Sequence, residues 1–509
     1  MKNSIESHIE ILSLREENSR LLQINAALQK EISELKSDNL FTKHELEKIK
    51  RIIFGSRSER FIGSEHPSQL SFNIEVPQIE QPESGKEIIV YEREKKKDVT
   101  IKTHSRSPLP SHLARQQEII EPAHIEEGSK KIGEEITEFL EYTPGKLFVR
   151  QIIRPKYTVP STGSIVIGNL PSLPIPKGNA GASLLAHIII SKFVDHLPFY
   201  RLIQMFKREG VELAESTVND WFNQSCKLLN LLYECLIKEI QSKDYLMADE
   251  TPIQVLTEDK PESTHKGYHW VYYSPKDKKV CFDYRKGRGR EGPEDFLKTF
   301  KGTLQTDAYA AYDIYDNKKD ITLLACMAHA RRKFDEALSN DPERAKHVLL
   351  LIQKLYEVER KAREGSLTPE QRKQLRIEES APVLNELEAW LKNNITEVLP
   401  KSAIGHAISY TIAIWHRLKR YIDDGNYEID NNLIENSIRP VAIGKKNYMF
   451  AGSHEGAKRA AMIYSFVGTC KLNNVNPFDW LKDVLERISD YKGNQLSDLL
   501  PNNWKKPTQ

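Results

Sequence analysis

The chain has 509 residues, 39% hydrophobic and 29% charged, which suits two to four domains of a soluble protein with exposed helices and linkers. Its 74 Lys and Arg nearly balance 72 Asp and Glu. At a net charge of +2 no bulk positive charge announces nucleic acid, and phosphate binding would fall to local clusters: RKGRGR at 285–290, HARRKF at 329–334, and Lys445 with Lys446. Five scattered cysteines without a C-x-x-C exclude a disulfide framework and a four-cysteine zinc site, and they fit a reducing cytoplasm. MKNSIESHIE lacks an apolar signal core, and runs such as LLAHIII at 184–190 are too short to cross a bilayer, so no membrane association is expected.

Residues 4–60 read as a leucine-zipper coiled coil. Leu14, Leu21, Leu28 and Leu35 recur every seventh residue, which sets them at d and puts Asn18 and Asn25 at a. Asn at a costs stability but fixes register and favours two strands, so a parallel dimer is expected, roughly 75 Å long at 1.5 Å per residue. Residues 61–110 are rich in Pro, Ser, Glu and Lys and read as a flexible linker. Residues 111–178, with EITEFLEYTP, KLFVRQIIRPKYTVP and SIVIGNLP, read as a small β-rich module. Residues 179–240 are helical. ASLLAHIIISKFVDH and FYRLIQMFKREG precede ELAESTVNDWFNQSCKLL, with Gly210 breaking the second helix, Ser216 capping the third, and Val218, Trp221 and Phe222 facing inward. This is a helix-turn-helix outline that plain bundles share.

Residues 241–465 alternate. DYLMADETPIQVL, GYHWVYYSP and KKVCFDYR read as three strands, EGPEDFLKTF as a helix, GTLQTD as a strand, AYAAYDIY as a helix, ITLLACM as a strand and AHARRKFDEAL as a helix. Three hairpin-connected strands followed by alternating α and β is the ribonuclease H-like order. It makes the first and fourth strands parallel neighbours, with Asp249 within one and Asp307 at the end of the other. Ligand sites usually form at such strand ends. A helical insertion, about 340–425, contains a capping box at Thr368 and Gln371. IDNNLIENSIRP then reads as a short helix ended by Pro440, with Asn432, Glu435 and Arg439 on one face and Leu433 and Ile434 near the other. Residues 466–509 form a C-terminal helical segment. The fold class is thus multidomain α/β: coiled coil, β-rich module, helix-turn-helix-like segment and a mixed-sheet core with a helical insertion.

Asp249, Asp307 and Glu435 come from distant parts of the chain, two on strands and one on a helix. Carboxylates delivered this way can hold two divalent cations for phosphoryl transfer on nucleic acid. Each acid alone has a plainer reading as a turn, cap or surface residue. Asp430 reads as a helix cap, and Glu250 as pointing to the opposite sheet face from Asp249. Cys326 reads as a buried small residue, Trp270 and Tyr272 as core, and Arg285, Arg288 and Arg290 as a loop that contacts phosphate or solvent. His329 reads as a DNA-contacting or site-supporting residue.

ADETPIQVL, LQTDAYAAY, HARRKF and, most specifically, DNNLIENSIRPVAIGKKNYMFAGS resemble motifs of the insertion-sequence-66 family of DDE transposases. FGSRSER at 54–60 and the tail NPFDWLKDVLERI also resemble that family, so the likeness runs along nearly the whole chain. The resemblance implies metal-dependent DNA cleavage and strand transfer on the element's own terminal inverted repeats and a target DNA. Asp249, Asp307 and Glu435 would hold two Mg²⁺, with Mn²⁺ as a substitute, roughly 3.5–4 Å apart. Asn432, Arg439, Lys445, Lys446, His329, Arg331, Arg332, Arg288 and Arg290 would be the DNA contacts. It also implies self-association through the zipper, accessory proteins of the same element, and a bacterial cytoplasmic protein that joins the nucleoid when on DNA. The family's zinc-finger-like module has no cysteine here, so no zinc is expected. Ala308 stands where the family usually has Gly, at what reads as a helix start. The competing readings are a hydrolytic nuclease of ribonuclease H-like fold and a non-catalytic, zipper-dimerised DNA-binding regulator.

Overall fold

In the computed structural model, residues 145, 147–153, 156–158, 165–167, 172–176, 178–257 and 263–506 are described. The coiled-coil positions Leu14, Asn18, Leu21, Asn25, Leu28 and Leu35, and the linker, lie outside the described residues. Of the β-rich module, β1 (Lys156–Thr158) and β2 (Ile165–Ile167) pair antiparallel, with Tyr157 opposite Val166. Residues 147–153 have no regular structure, and Phe148, Val149 and Ile153 are exposed.

Three helices precede the main sheet: α1 (Ala182–Phe193), α2 (Phe199–Arg208) and α3 (Glu215–Gln241). Gly210, at φ +82°, ends α2 in a conformation that only Gly adopts cheaply. The cap of α3 is Ala214 rather than Ser216, and it makes no side-chain bond. Val218, Trp221 and Phe222 are buried as expected, but so are Leu229, Leu232, Leu236 and Ile240 further along. A helix buried along 27 residues is a support of the sheet for most of its length. The inward side chains of α1–α3 and those of the sheet form one continuous apolar cluster.

The sheet comprises β3 (Tyr245–Leu256), β4 (Thr264–Ser274), β5 (Lys279–Arg285), β6 (Gly302–Thr306), β7 (Ile321–Ala325) and the short β8 (Phe450–Ala451). Its order is β5-β4-β3-β6-β7; β3, β4 and β5 are antiparallel, while β6 and β7 run parallel to β3. Helix α4 (Glu291–Phe296) follows β5. AYAAYDIY forms a 3₁₀ helix, Ala310–Tyr315, where an α-helix was expected. Tyr245–Ala248 are all buried, as befits a central strand covered on both faces; beyond them burial alternates. On one face Phe282 meets Tyr464, and on the other Tyr272 stacks on Phe296 at 3.7 Å and Trp270 abuts Tyr312. Trp270 and Tyr272 are therefore core residues, as read from sequence.

Past β7 come α5 (Met327–Ala337), α6 (Pro342–Glu364), α7 (Pro369–Leu375), α8 (Ala381–Asn394), α9 (Ala403–Ala413) and α10 (Trp415–Leu418). They enclose a second apolar cluster. Thr368 and Gln371 form the expected capping box. Helix α11 (Asn432–Tyr448) does not stop at Pro440. An interior proline loses its own N–H bond and crowds the carbonyl four residues back, yet the helix continues, with Val441 and Gly444 buried beyond it. Ile434 is buried, but Leu433 is 38% exposed. Helices α12 (His454–Leu472) and α13 (Pro477–Arg487) complete the core, with α12 against β5 and α13 against α1. Among the described residues, no helix is long and apolar enough to cross a membrane.

Candidate metal centre

The site begins with a gap in the sheet. Strand β6 accompanies β3 only from Tyr245 to Met247, and β8 joins the same strand only at Gln254 and Val255. Between them this edge of β3 has no strand partner among the described residues. Pro252 lies in that stretch. Its carbonyl accepts a bond from Lys445 Nζ at 2.8 Å, so its backbone faces the open edge, where a missing N–H interrupts no ladder. Asp249 and Glu250 stand at the start of the gap.

Asp307 follows the last residue of β6. The chain turns away there through Ala308, at φ +66°, so Ala308 is a left-handed residue and not a helix start. Glycine suits this position for a steric reason, and alanine holds it at a cost of about 1–2 kcal/mol. The turn is fixed by bonds from Tyr309 N–H to Asp307 Oδ1 (2.9 Å), from Ala308 N–H to Thr306 Oγ1 (3.2 Å) and from Tyr410 Oη to the Asp307 carbonyl (3.2 Å).

Carboxylate oxygens of Asp249, Glu250 and Asp307 lie within 4.8 Å of one another. Glu250 is the correction. In the β3–β4–β5 register it aligns with Trp270 and Asp283, and Asp249 with Val271 and Phe282, so successive residues do leave opposite faces. The strand edge beside them has no strand partner among the described residues, however, and the longer glutamate side chain reaches the same notch. One Glu250 oxygen, Oε1, accepts from Arg288 Nε (2.8 Å) and Nη2 (2.5 Å). The other, Oε2, is buried and has no partner among the described residues. Burial, then Glu250 and Asp307, push the Asp249 carboxyl well above the usual range. Burial, then Asp307, push Glu250 up to about 7 against the pull of Arg288. Crowded carboxylates raise one another's pKa in this way until a cation intervenes. An all-oxygen donor set suits a hard divalent cation.

Glu435 sits in the first turn of α11 and adds to the negative field at Asp249, outside the cluster of three. Its helix is launched by a segment stitched to the sheet. Gln305 Nε2 donates to the Glu428 carbonyl (2.9 Å), Glu428 N–H donates to Tyr245 Oη (3.0 Å), Met327 N–H to the Ile429 carbonyl (3.0 Å), and Asn431 N–H to Cys326 Sγ (3.2 Å). Cys326 is thus buried and also an acceptor. Asp430 accepts from the Asn432 backbone N–H (3.0 Å) and Nδ2 (2.7 Å) and from Tyr356 Oη (2.8 Å); it stands one residue before the cap position, which Asn431 occupies without a side-chain cap bond, so the sequence reading of Asp430 as the cap is off by one. Asn431, fully buried with neither side-chain atom bonded among the described residues, was missed in the sequence, where it looks like one more polar residue of a turn.

His329, in the first turn of α5, feels both Asp307 and Glu435; burial outweighs them and lowers its pKa, and its buried Nδ1 has no partner among the described residues. The basic candidates divide. Arg288 is engaged with Glu250 and lies over the Tyr309 ring at 4.0 Å. Arg285 is ion-paired with Asp283 and Asp295, both at 2.7 Å, and so is committed to the protein. Lys445 bonds Thr251 Oγ1 (3.3 Å) besides Pro252. Arg290, Arg332, Arg439 and Lys446 are exposed, Arg331 is half-buried, and Asn432 is exposed while bonded to Asp430. A groove of about 860 Å³ at the β5 edge, lined by Lys227, Lys286, Lys458 and Arg459 among others, was also missed, since these residues are scattered in sequence.

Residues 177–459, more than half of the chain, match the family model described as Transposase IS66 family. The chain belongs to the IS66 transposase family. Residues 465–502 match the IS66 C-terminal element, and residues 42–117 match a model described as Transposase C of IS166 homeodomain. An uncharacterized protein of Sinorhizobium fredii, y4jD, is 32% identical over 508 residues, covering 94% of this chain and 97% of its own. A second from that organism, y4qI, is 31% identical over 481 residues, covering 90% of this chain and 88% of its own. The uncharacterized protein YuaK of Escherichia coli is 47% identical over 49 residues, covering 10% of this chain and 52% of its own. The acid notch lies inside the matched IS66 segment, so this transposase carries its acidic cluster within the family's defining region.

Proposed function

We propose that this IS66 transposase cleaves the ends of its own element and joins them to target DNA at the β3–β6 notch, in a ribonuclease H-like core. The strand order, with β6 and β7 parallel to β3 and β4–β5 antiparallel, supports that core assignment. The observation that carries the chemistry is the meeting of the Asp249 and Asp307 carboxylates beside a buried carboxylate oxygen that has no partner among the described residues. Such a group favours a cation over a vacant cavity. Asp249, Asp307 and Glu435 would hold two divalent cations, Mg²⁺ by donor type. When bound, these cations supply an activated water or DNA 3′-hydroxyl and stabilise the leaving oxygen.

In this reading the protein's own groups orient. Tyr309 N–H and the left-handed Ala308 fix the Asp307 carboxylate, and the ties of residues 428–431 to the sheet set the helix that carries Glu435. Exposed Arg290, Arg332, Arg439 and Lys446 would take backbone phosphates, with Arg331, Lys445, Asn432 and His329 closer in. Paired ends require at least two protomers, which the N-terminal heptads would supply. Accessory proteins of the same element and a place in the bacterial cytoplasm, on the nucleoid, complete the proposal. Membership of a transposase family favours this reading over a purely hydrolytic nuclease or a non-catalytic regulator.

The test is mobility of a marked mini-element bearing the DNA ends that flank the gene. Wild type should mobilise it, and Asp307→Asn and Glu435→Gln should each lower mobility by about a thousandfold, on the order of 4 kcal/mol of barrier. Mobility surviving either substitution would contradict that residue's assignment.

A further inference from the structure

We propose that Glu250 is a fourth carboxylate of the metal centre and that Arg288 is its built-in countercation, competing with metal for the same side chain. The proposal rests on the reading of the notch as a metal site and adds a ligand to it.

Four observations converge. The Glu250 carboxylate shares the 4.8 Å cluster with Asp249 and Asp307, whereas Glu435 stands outside it. The Glu250 side chain is only 2% exposed, so water does not solvate its charge from outside. Arg288 binds one oxygen alone: both Nε and Nη2 go to Oε1, an end-on arrangement that leaves Oε2 without a partner among the described residues. Arginine–carboxylate pairs are frequently bidentate, taking both oxygens side by side, and this pair is not. In the same pose Arg288 has a second contact, one that does not depend on Glu250. It lies over Tyr309, whose hydroxyl donates to the Arg288 carbonyl at 3.1 Å and whose N–H holds Asp307. The same residue thus touches the arginine and orients one of the acids.

The arrangement has a chemical consequence. Without a divalent cation, Arg288 supplies the positive charge that allows Glu250 to sit beside two other carboxylates. With one bound, Oε2 becomes a ligand and the attraction between Glu250 and Arg288 weakens. Arg288 is 45% exposed, so its guanidinium is then available to an anion from solvent, of which a DNA phosphate is the chemically matched kind.

Mn²⁺ binding to the full-length protein without DNA tests this, read from the electron paramagnetic resonance signal of free Mn²⁺. Glu250→Gln should weaken Mn²⁺ binding at least about tenfold, the scale on which even outer-shell ligand partners act. Arg288→Gln should tighten it about fivefold, the effect of removing one competing unit charge near water. A purely structural Arg288–Glu250 bridge makes the opposite forecast: both variants lose thermal stability and neither changes Mn²⁺ affinity in these directions. Wild-type affinity in Glu250→Gln, or weakened affinity in Arg288→Gln, would overturn the inference. If Glu250→Gln fails to fold, Arg288→Gln alone still decides between the two. Asp307→Asn separates the levels: its loss of Mn²⁺ binding while Glu250→Gln binds normally sinks only the role of Glu250, and unchanged binding in Asp307→Asn sinks the metal site itself.

Discussion

Two groups of inward charges in this transposase are built to opposite rules. Where the helical insertion meets the returning segment, Glu359 and Glu428 face Arg372 and Arg376. Arg376 is fully buried; it bonds Glu359 through Nε (2.7 Å) and Nη2 (2.9 Å) and reaches the carbonyls of Tyr421, Asp424 and Tyr427, each at 2.8 Å. Arg372 bonds Glu359 and Glu428, and its Nη1 reaches the Gly425 carbonyl at 3.3 Å. Two acids meet two bases there. At the notch, among the described residues, Asp249, Glu250 and Asp307 meet one guanidinium, and a Glu250 oxygen is left over. Saturated charges act as struts: they tie the returning segment that leads to Glu435 onto α6. Unsaturated charges store an affinity for something that the protein alone does not provide.

The contrast can be broken in several places. The largest effect is expected at the notch and in activity alone: Asp249→Asn should abolish DNA end cleavage, by about a thousandfold or more, while leaving urea stability unchanged or raised because a repulsive charge is gone. In the insertion the pattern should invert. Arg376→Met should cost about 3–5 kcal/mol in urea unfolding, since it leaves Glu359 Oε1 and three carbonyls without their donor and Glu359 with Arg372 alone. Equal destabilisation by the two substitutions would erase the distinction. Next in size, saturating Mg²⁺, at about a hundred times its dissociation constant, should stabilise the wild type by about 2.7 kcal/mol and Arg376→Met by the same increment. The smallest effect belongs to the notch's turn: Ala308→Gly should raise stability by up to about 1 kcal/mol, as relief of left-handed strain exceeds the added unfolded-state entropy. A loss of stability on that substitution would mean that Ala308 is held by contacts and not merely tolerated.

Much of this was legible in the sequence, and its limits have physical causes. Asp249 and Asp307 could be placed because strand periodicity and hairpin order locate strand ends, and β3 and β6 are indeed parallel neighbours. Glu250 was not legible, because alternation gives the face a side chain leaves from and not how far a glutamate reaches around an edge; the early end of β6 and the late arrival of β8 open that edge. The full length of α11 was hidden by Pro440: the rule that proline ends helices is local, whereas Val441, Gly444 and the Lys445 tie to β3 are tertiary. The same tertiary influence made Ala308 a left-handed residue where the local sequence suggested a helix start. The strut network could not be read either, since Glu359, Arg376 and Glu428 are ordinary surface residue types until the fold buries or half-buries them.

The most direct measurement is thermal unfolding of wild type and Asp307→Asn, each with and without Mg²⁺. If the notch is an unsaturated cation site, metal-free Asp307→Asn melts at or above metal-free wild type, and Mg²⁺ raises the melting temperature of the wild type alone. A metal-free Asp307→Asn that melts well below wild type, or an equal Mg²⁺ shift in both proteins, would make Asp307 a structural charge and contradict the account.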